Sequence, residues 1–167
     1  MTEFEINIKV YRKRLEKVSS SERASPIMGL QFCVADEYLY GKEGYQGVYI
    51  FNMLYCLNLS IQDIVEDQQR VCTNDNGPTY IILEPAESQT MKLGYTYLFE
   101  AVEDPDRHSD AITAFQIPVE VFAEEVIERT EDFRKTVLSI NSDLEDHALI
   151  ESLDDGLRQS KEAYSTL

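Results

Sequence analysis

Residues 111–140 read AITAFQIPVE VFAEEVIERT EDFRKTVLSI, and the change of period inside this stretch decides the fold. Ala111 to Ile117 is a run of strand length, rich in β-branched and aromatic side chains. Beyond Pro118, Val119, Phe122, Val126, Phe133, Val137 and Ile140 recur at helical spacing. Glu120, Glu124, Glu125 and Glu128 fall early in that helix, where its dipole favours acids, and Arg134 and Lys135 fall later. Pro118 suits the first helical position, whose N–H has no partner within the helix. A strand therefore runs directly into a helix over 119–140. Asn141-Ser142-Asp143 turns the chain, and Leu149, Leu153, Leu157 and Tyr164 predict a second helix over 143–163, weakened by Gly156.

Working upstream, Leu93, Tyr95, Tyr97 and Phe99 alternate along a strand over 91–102, and Tyr80 to Leu83 forms a shorter one after the turn Asn74-Asp75-Asn76-Gly77-Pro78. With Ala111–Ile117 these strands make an antiparallel meander. Phe4, Ile6, Ile8 and Val10 predict a strand over 3–11, and Leu30, Phe32 and Val34 one over 29–40; Arg12 to Ser25 between them reads as a loop. Ile50, Leu54, Leu57, Ile61 and Ile64 mark a helix within 46–69, with a possible break at Asn58–Ser60 that Ser60 would cap. The order ββα-βββ-αα gives an α+β fold in one domain over 1–167: an antiparallel sheet of about five strands, packed by one central and two C-terminal helices.

The chain has 167 residues, 31 acidic against 15 basic, and a net charge of −16. That excess disfavours broad binding to nucleic acid or anionic membrane, both of which reward cations. The charge is uneven: residues 1–27 carry a balance of +2 and residues 28–167 one of −18. No apolar stretch is long enough to span a bilayer, the longest being Val48 to Leu59 with Asn52 and Asn58 inside it. The N-terminus lacks the basic start and continuous apolar run of a signal peptide. Cys33, Cys56 and Cys72, without a CxxC pair, read as reduced thiols, and the chain as cytoplasmic.

Candidate chemistry is sparse. Asp106-Arg107-His108-Ser109-Asp110 juxtaposes triad residue types in a loop, but without a nucleophile elbow it reads as a solvated turn. His147 has Asp143 and Glu151 one helical turn away on either side, a set that solvated helix positions also produce. Gly41-Lys42-Glu43-Gly44-Tyr45-Gln46-Gly47 lacks both phosphate-loop patterns. No catalytic residue, metal ligand or cofactor is assigned. Asp36, Glu37 and Glu100 lie near strand ends and provide the carboxylates for an enzymatic reading.

The segment Phe115-Gln116-Ile117-Pro118-Val119-Glu120-Val121-Phe122-Ala123-Glu124-Glu125-Val126, followed by the turn Ile140-Asn141-Ser142, resembles a strand–helix–turn–helix order found in small prokaryotic immunity-type proteins of polymorphic toxin systems. It covers roughly the last third of the chain and carries over no site residue. The resemblance, the acidic balance and the lack of a catalytic constellation lead to one expectation: a non-enzymatic module that binds a basic protein, of the immunity or antitoxin kind. A DNA mimic that inhibits a nucleic-acid-binding protein is the second reading, and a carboxylate enzyme the third. For the partner surface, Tyr38, Tyr40 and Tyr45 offer contact area with few torsions to order. Asp36, Glu37 and Glu43 supply steering charge at the same edge.

Overall fold

Alternation along Phe4–Lys9 (β1) buries Phe4 and Ile6 and leaves Glu5 in water. The strand pairs antiparallel with Ile27–Val34 (β2), whose Met28, Leu30, Phe32 and Val34 face the same core. This computed structural model describes residues 3–41 and 44–167. The connection after β1 contains a short helix, Arg12–Glu16 (α1), anchored by the buried Leu15. The predicted strand over 29–40 is instead a hairpin: β2 turns through Ala35 and Asp36, at φ 47° and 66°, into Glu37–Tyr40 (β3). Two positive-φ residues make the turn that matches strand twist. Neither is Gly or Asn, so the sequence carries no strong turn mark. Gln46–Tyr49 (β4) pairs with the other end of β2 and completes a four-stranded sheet.

The stretch 46–69 thus divides into β4 and a helix, Ile50–Val65 (α2). The expected break at Asn58–Ser60 is absent. Both side chains are fully buried: Asn58 bonds across to other helices, and the Ser60 hydroxyl donates to Leu57 O. A second antiparallel sheet runs Arg70–Asn74 (β5), Thr79–Pro85 (β6), Thr90–Thr96 (β7) and Thr113–Pro118 (β8) in chain order. β7 stops at Thr96, short of the expected 102, and Phe99–Glu103 (α3) begins the crossover to β8. Among the described residues the architecture is α+β with eight strands in two antiparallel sheets, where about five strands in one sheet were expected.

Val119–Ile140 (α4) keeps its expected bounds, but Pro118 is its N-cap, in extended conformation, and not its first helical residue. The last helix begins later than read: a 3-10 turn occupies Ser142–Leu144, and Ala148–Tyr164 (α5) follows. α2 is the pivot. It packs along α5 and α4 and also against both sheets. The Ile6 N–H on the free edge of β1 donates to Glu125 Oε1 of α4 at 2.8 Å, so a charged side chain closes an edge that would otherwise invite strand addition.

Cys56 of α2 and Cys72 of β5 form a disulfide, their Cα atoms 5.9 Å apart, and Cys33 remains a free thiol. This corrects the expectation of three reduced cysteines. The signal was invisible in spacing, because the turn after α2 folds β5 back onto the helix. The disulfide closes a loop with a sequence separation of 16. Loops of about 15 residues contribute about 3 kcal/mol when cross-linked. The double variant C56S/C72S should therefore lower the urea midpoint, and dithiothreitol should bring the native chain down to the same value. A native midpoint indifferent to reductant would show that the two sulfurs are not bonded.

Candidate functional site

The six expected contact residues do not form one surface. Asp36 and Glu37 are exposed at the tip of the β2–β3 hairpin, with Tyr38, 48% exposed, beside them. Tyr45 is 43% exposed but lies over Gly29, with the Lys9 ammonium 5.8 Å from its ring, and so belongs to a basic neighbourhood. Glu43 lies outside the described residues. Tyr40 is a core residue at 1% exposure, and no partner reaches it. Its hydroxyl accepts from Asn74 Nδ2 at 3.2 Å, and burial pushes its pKa up to about 12. A register shift in the β2–β3 pairing accompanies the burial of both Leu39 and Tyr40, which strict alternation would have placed on opposite faces.

Tyr40 is one ring in a chain of six. Phe122, Phe4, Phe32, Tyr40, Tyr95 and Tyr97 follow one another with centroids between 5.5 and 6.0 Å apart. The chain runs from α4 through the first sheet to β7 and emerges at Tyr97. There the surface changes character. Tyr97, Leu98 and Phe99 are successive in sequence and 58%, 38% and 52% exposed. Phe99 rests on the Tyr80 ring at 5.7 Å. Buried Thr96 holds the bend: its hydroxyl donates to Ala111 O at 2.9 Å and accepts from Leu98 N–H at 3.1 Å. The same crossover closes over a cleft of about 190 Å³ on the outer face of the second sheet, lined by Ile82, Glu84, Lys92, Gly94, Asp106 and Ile112 among others.

Sequence reasoning missed this rim by reading 91–102 as one alternating strand. Leu98, apolar between two aromatics, was the signal that alternation had ended. The electrostatics also differ between surfaces. On α4 and α5 the cations hold carboxylates: Arg129 with Glu125 at 2.9 Å, Arg134 with Asp154 at 2.5 Å, Arg158 with Asp155 at 2.6 Å and Lys161 with Glu131 at 2.5 Å. Along the crossover, Glu100, Glu103, Asp104, Asp106 and Asp110 form no ion pair among the described residues, nor does its one arginine, Arg107.

His147 caps α5, its Nδ1 accepting from Leu149 N–H at 3.1 Å, while buried at 6% exposure. That bond explains the residue without a metal. His108 precedes a 3-10 turn, Ser109–Ala111, as part of the crossover. Asp36 and Glu37 stand on the hairpin tip and Glu100 on α3, and none of them lines the well-formed clefts. Comparison with protein-family models, curated proteins and solved structures returned no match.

Tyr40 and Tyr38 should separate on substitution. Tyr40→Ala empties a buried aromatic site and costs about 3–5 kcal/mol, whereas Tyr38→Ala stays within about 0.5 kcal/mol. The neutral Tyr40 phenol is the form that the fold favours. Its contribution is intact below pH 10 and is lost as pH rises toward 12. Native protein should therefore lose stability more steeply than Tyr40→Phe across that window in alkaline denaturation. Equal slopes would place the Tyr40 hydroxyl in water.

Proposed function

We propose that the chain is a non-enzymatic binding module for a basic protein, of the immunity or antitoxin kind, and that it docks through the Tyr97–Phe99 rim. The observation that carries this reading is three successive large apolar side chains held in water next in sequence to Glu100, Glu103 and Asp104, which form no ion pair among the described residues. Aromatic anchors with a charged surround suit protein recognition: the rings supply affinity, and the acids steer encounter and fix register. Several carboxylates of α4 and α5 that a DNA mimic would need as phosphate substitutes, Glu125, Glu131, Asp154 and Asp155, are bonded to arginines and lysines of those helices, and no observation favours that reading over this one.

The test compares native chain and Y97S/F99S as baits in extract from the source cells, washed at rising ionic strength. The native chain should retain a protein of high isoelectric point that salt releases. Losing both rings should weaken that complex by about 2 kcal/mol or more. Replacing Glu100, Glu103 and Asp104 by their amides should slow association and flatten its salt dependence. Identical recovery by native and Y97S/F99S baits would remove the rim from the interface.

A further inference from the structure

The basic end of the molecule is untouched by the function proposed above. Lys9, Arg12, Lys13, Arg14, Lys17 and Arg23 gather within one short segment of a chain whose net charge is −16. Only Arg12 forms an ion pair among the described residues, with Glu16 at 2.8 Å. Like charges so close repel one another, and a chain this rich in carboxylates leaves them uncompensated. Arg14 is also held in place: its guanidinium carbon lies 4.5 Å from the Tyr11 ring centroid and Nη1 donates to Ile27 O at 2.6 Å. Its Nε and Nη2 make no further bond among the described residues.

Arg14 and Lys17 line an open cleft of about 580 Å³ between the α1 segment and the β5–β6 turn. That volume is within the range of small-molecule sites, about 300–1,000 Å³. The opposite wall is built by Asn76, whose Nδ2 donates to Gly47 O at 3.1 Å. Gly47 permits that approach, since a Cβ there would stand 3.0 Å from Asn76 Nδ2. Tyr49 presents a half-buried ring to the same space, while the first N–H groups of α2 behind it are already bonded, Ile50 to Pro26 O at 3.4 Å and Phe51 to Ser25 Oγ at 3.0 Å. Glu22 is the one acid in the lining, and its Oε2 is turned back to the Ser19 N–H at 3.4 Å.

We infer that this cleft binds a phosphate-bearing ligand of nucleotide size. Arg14 and Lys17 take the phosphate oxygens, the fork of Arg14 by paired N–H donation and Lys17 as a point charge. Tyr49 offers a face to the organic part. The site is independent of the rim and opposite to it in sign.

Calorimetric titration at low ionic strength with ATP, pyrophosphate and adenosine tests the assignment, with amide shift mapping by NMR to locate the contacts. ATP and pyrophosphate should bind saturably and shift amides of residues 14–27, 49–51 and 76; adenosine should bind at least tenfold more weakly than ATP. R14Q/K17Q should weaken ATP at least tenfold with an unchanged thermal midpoint. If loss of the Ile27 contact loosens that variant, K17E alone, which breaks no bond among the described residues, should weaken ATP by a similar factor. No saturation by either phosphate, equal affinity of native and variant chains, or adenosine binding as tightly as ATP would each overturn the site.

Discussion

One buried amide sets the placement of the three long helices. Asn58, fully buried on α2, donates from Nδ2 to Leu54 O in its own helix and to Thr130 Oγ1 on α4, both at 2.8 Å. Its Oδ1 accepts from Ser160 Oγ on α5, also at 2.8 Å. Thr130 in turn donates to Val126 O at 2.7 Å. A buried amide in an apolar layer is costly unless its partners stand in place, so only one relative placement of α2, α4 and α5 satisfies the set. No buried side-chain nitrogen or oxygen lacks a partner among the described residues.

Gly156 belongs to the same junction. A Cβ there would meet Tyr55 Cδ2 at 3.1 Å and Asn58 Cβ at 3.3 Å. The helix gives up about 1 kcal/mol of propensity at this glycine and gains the close contact of α5 with α2. With the helices locked on one another, their charges pair across and along them, as in Arg134 with Asp154 and Lys161 with Glu131. The helical layer pairs only part of its acids: Glu120 and Glu151 form no ion pair among the described residues. The crossover over the second sheet, where the exposed rings are, adds Glu100, Glu103, Asp104, Asp106 and Asp110 to the same negative surface charge.

The legible parts of the sequence were those where one period runs uninterrupted. The strand-to-helix switch at Pro118 and the span of α4 followed from spacing, as did the α+β class. What stayed hidden depends on partners distant in sequence. Asn58 and Ser60 look like helix breakers until Thr130 and Ser160 are brought to meet Asn58. Cys56 and Cys72 carry no pairing motif and meet because a turn reverses the chain. The positive-φ pair Ala35-Asp36 uses residue types that do not announce a hairpin, so two strands read as one and the sheets were undercounted. At the candidate site, the acidity and exposed tyrosines were legible in kind. Their grouping was not, because Tyr40 turns inward, Tyr45 joins Lys9, and the triplet at Tyr97–Phe99 was concealed within an apparently longer strand.

The surface proposed for binding is the outward end of a structure whose inner end is the Asn58 junction: helices fixed by a polar lock, two sheets laid against them, and an aromatic chain leading from α4 to Tyr97. The claim that the lock governs helix packing is tested most directly by a double-mutant cycle on Asn58→Ala and Ser160→Ala, read by urea denaturation. A cooperative junction predicts an interaction energy of about 1 kcal/mol or more between the two sites. Costs that add to within about 0.3 kcal/mol would contradict it, and would mean that apolar packing alone holds α2 against α5.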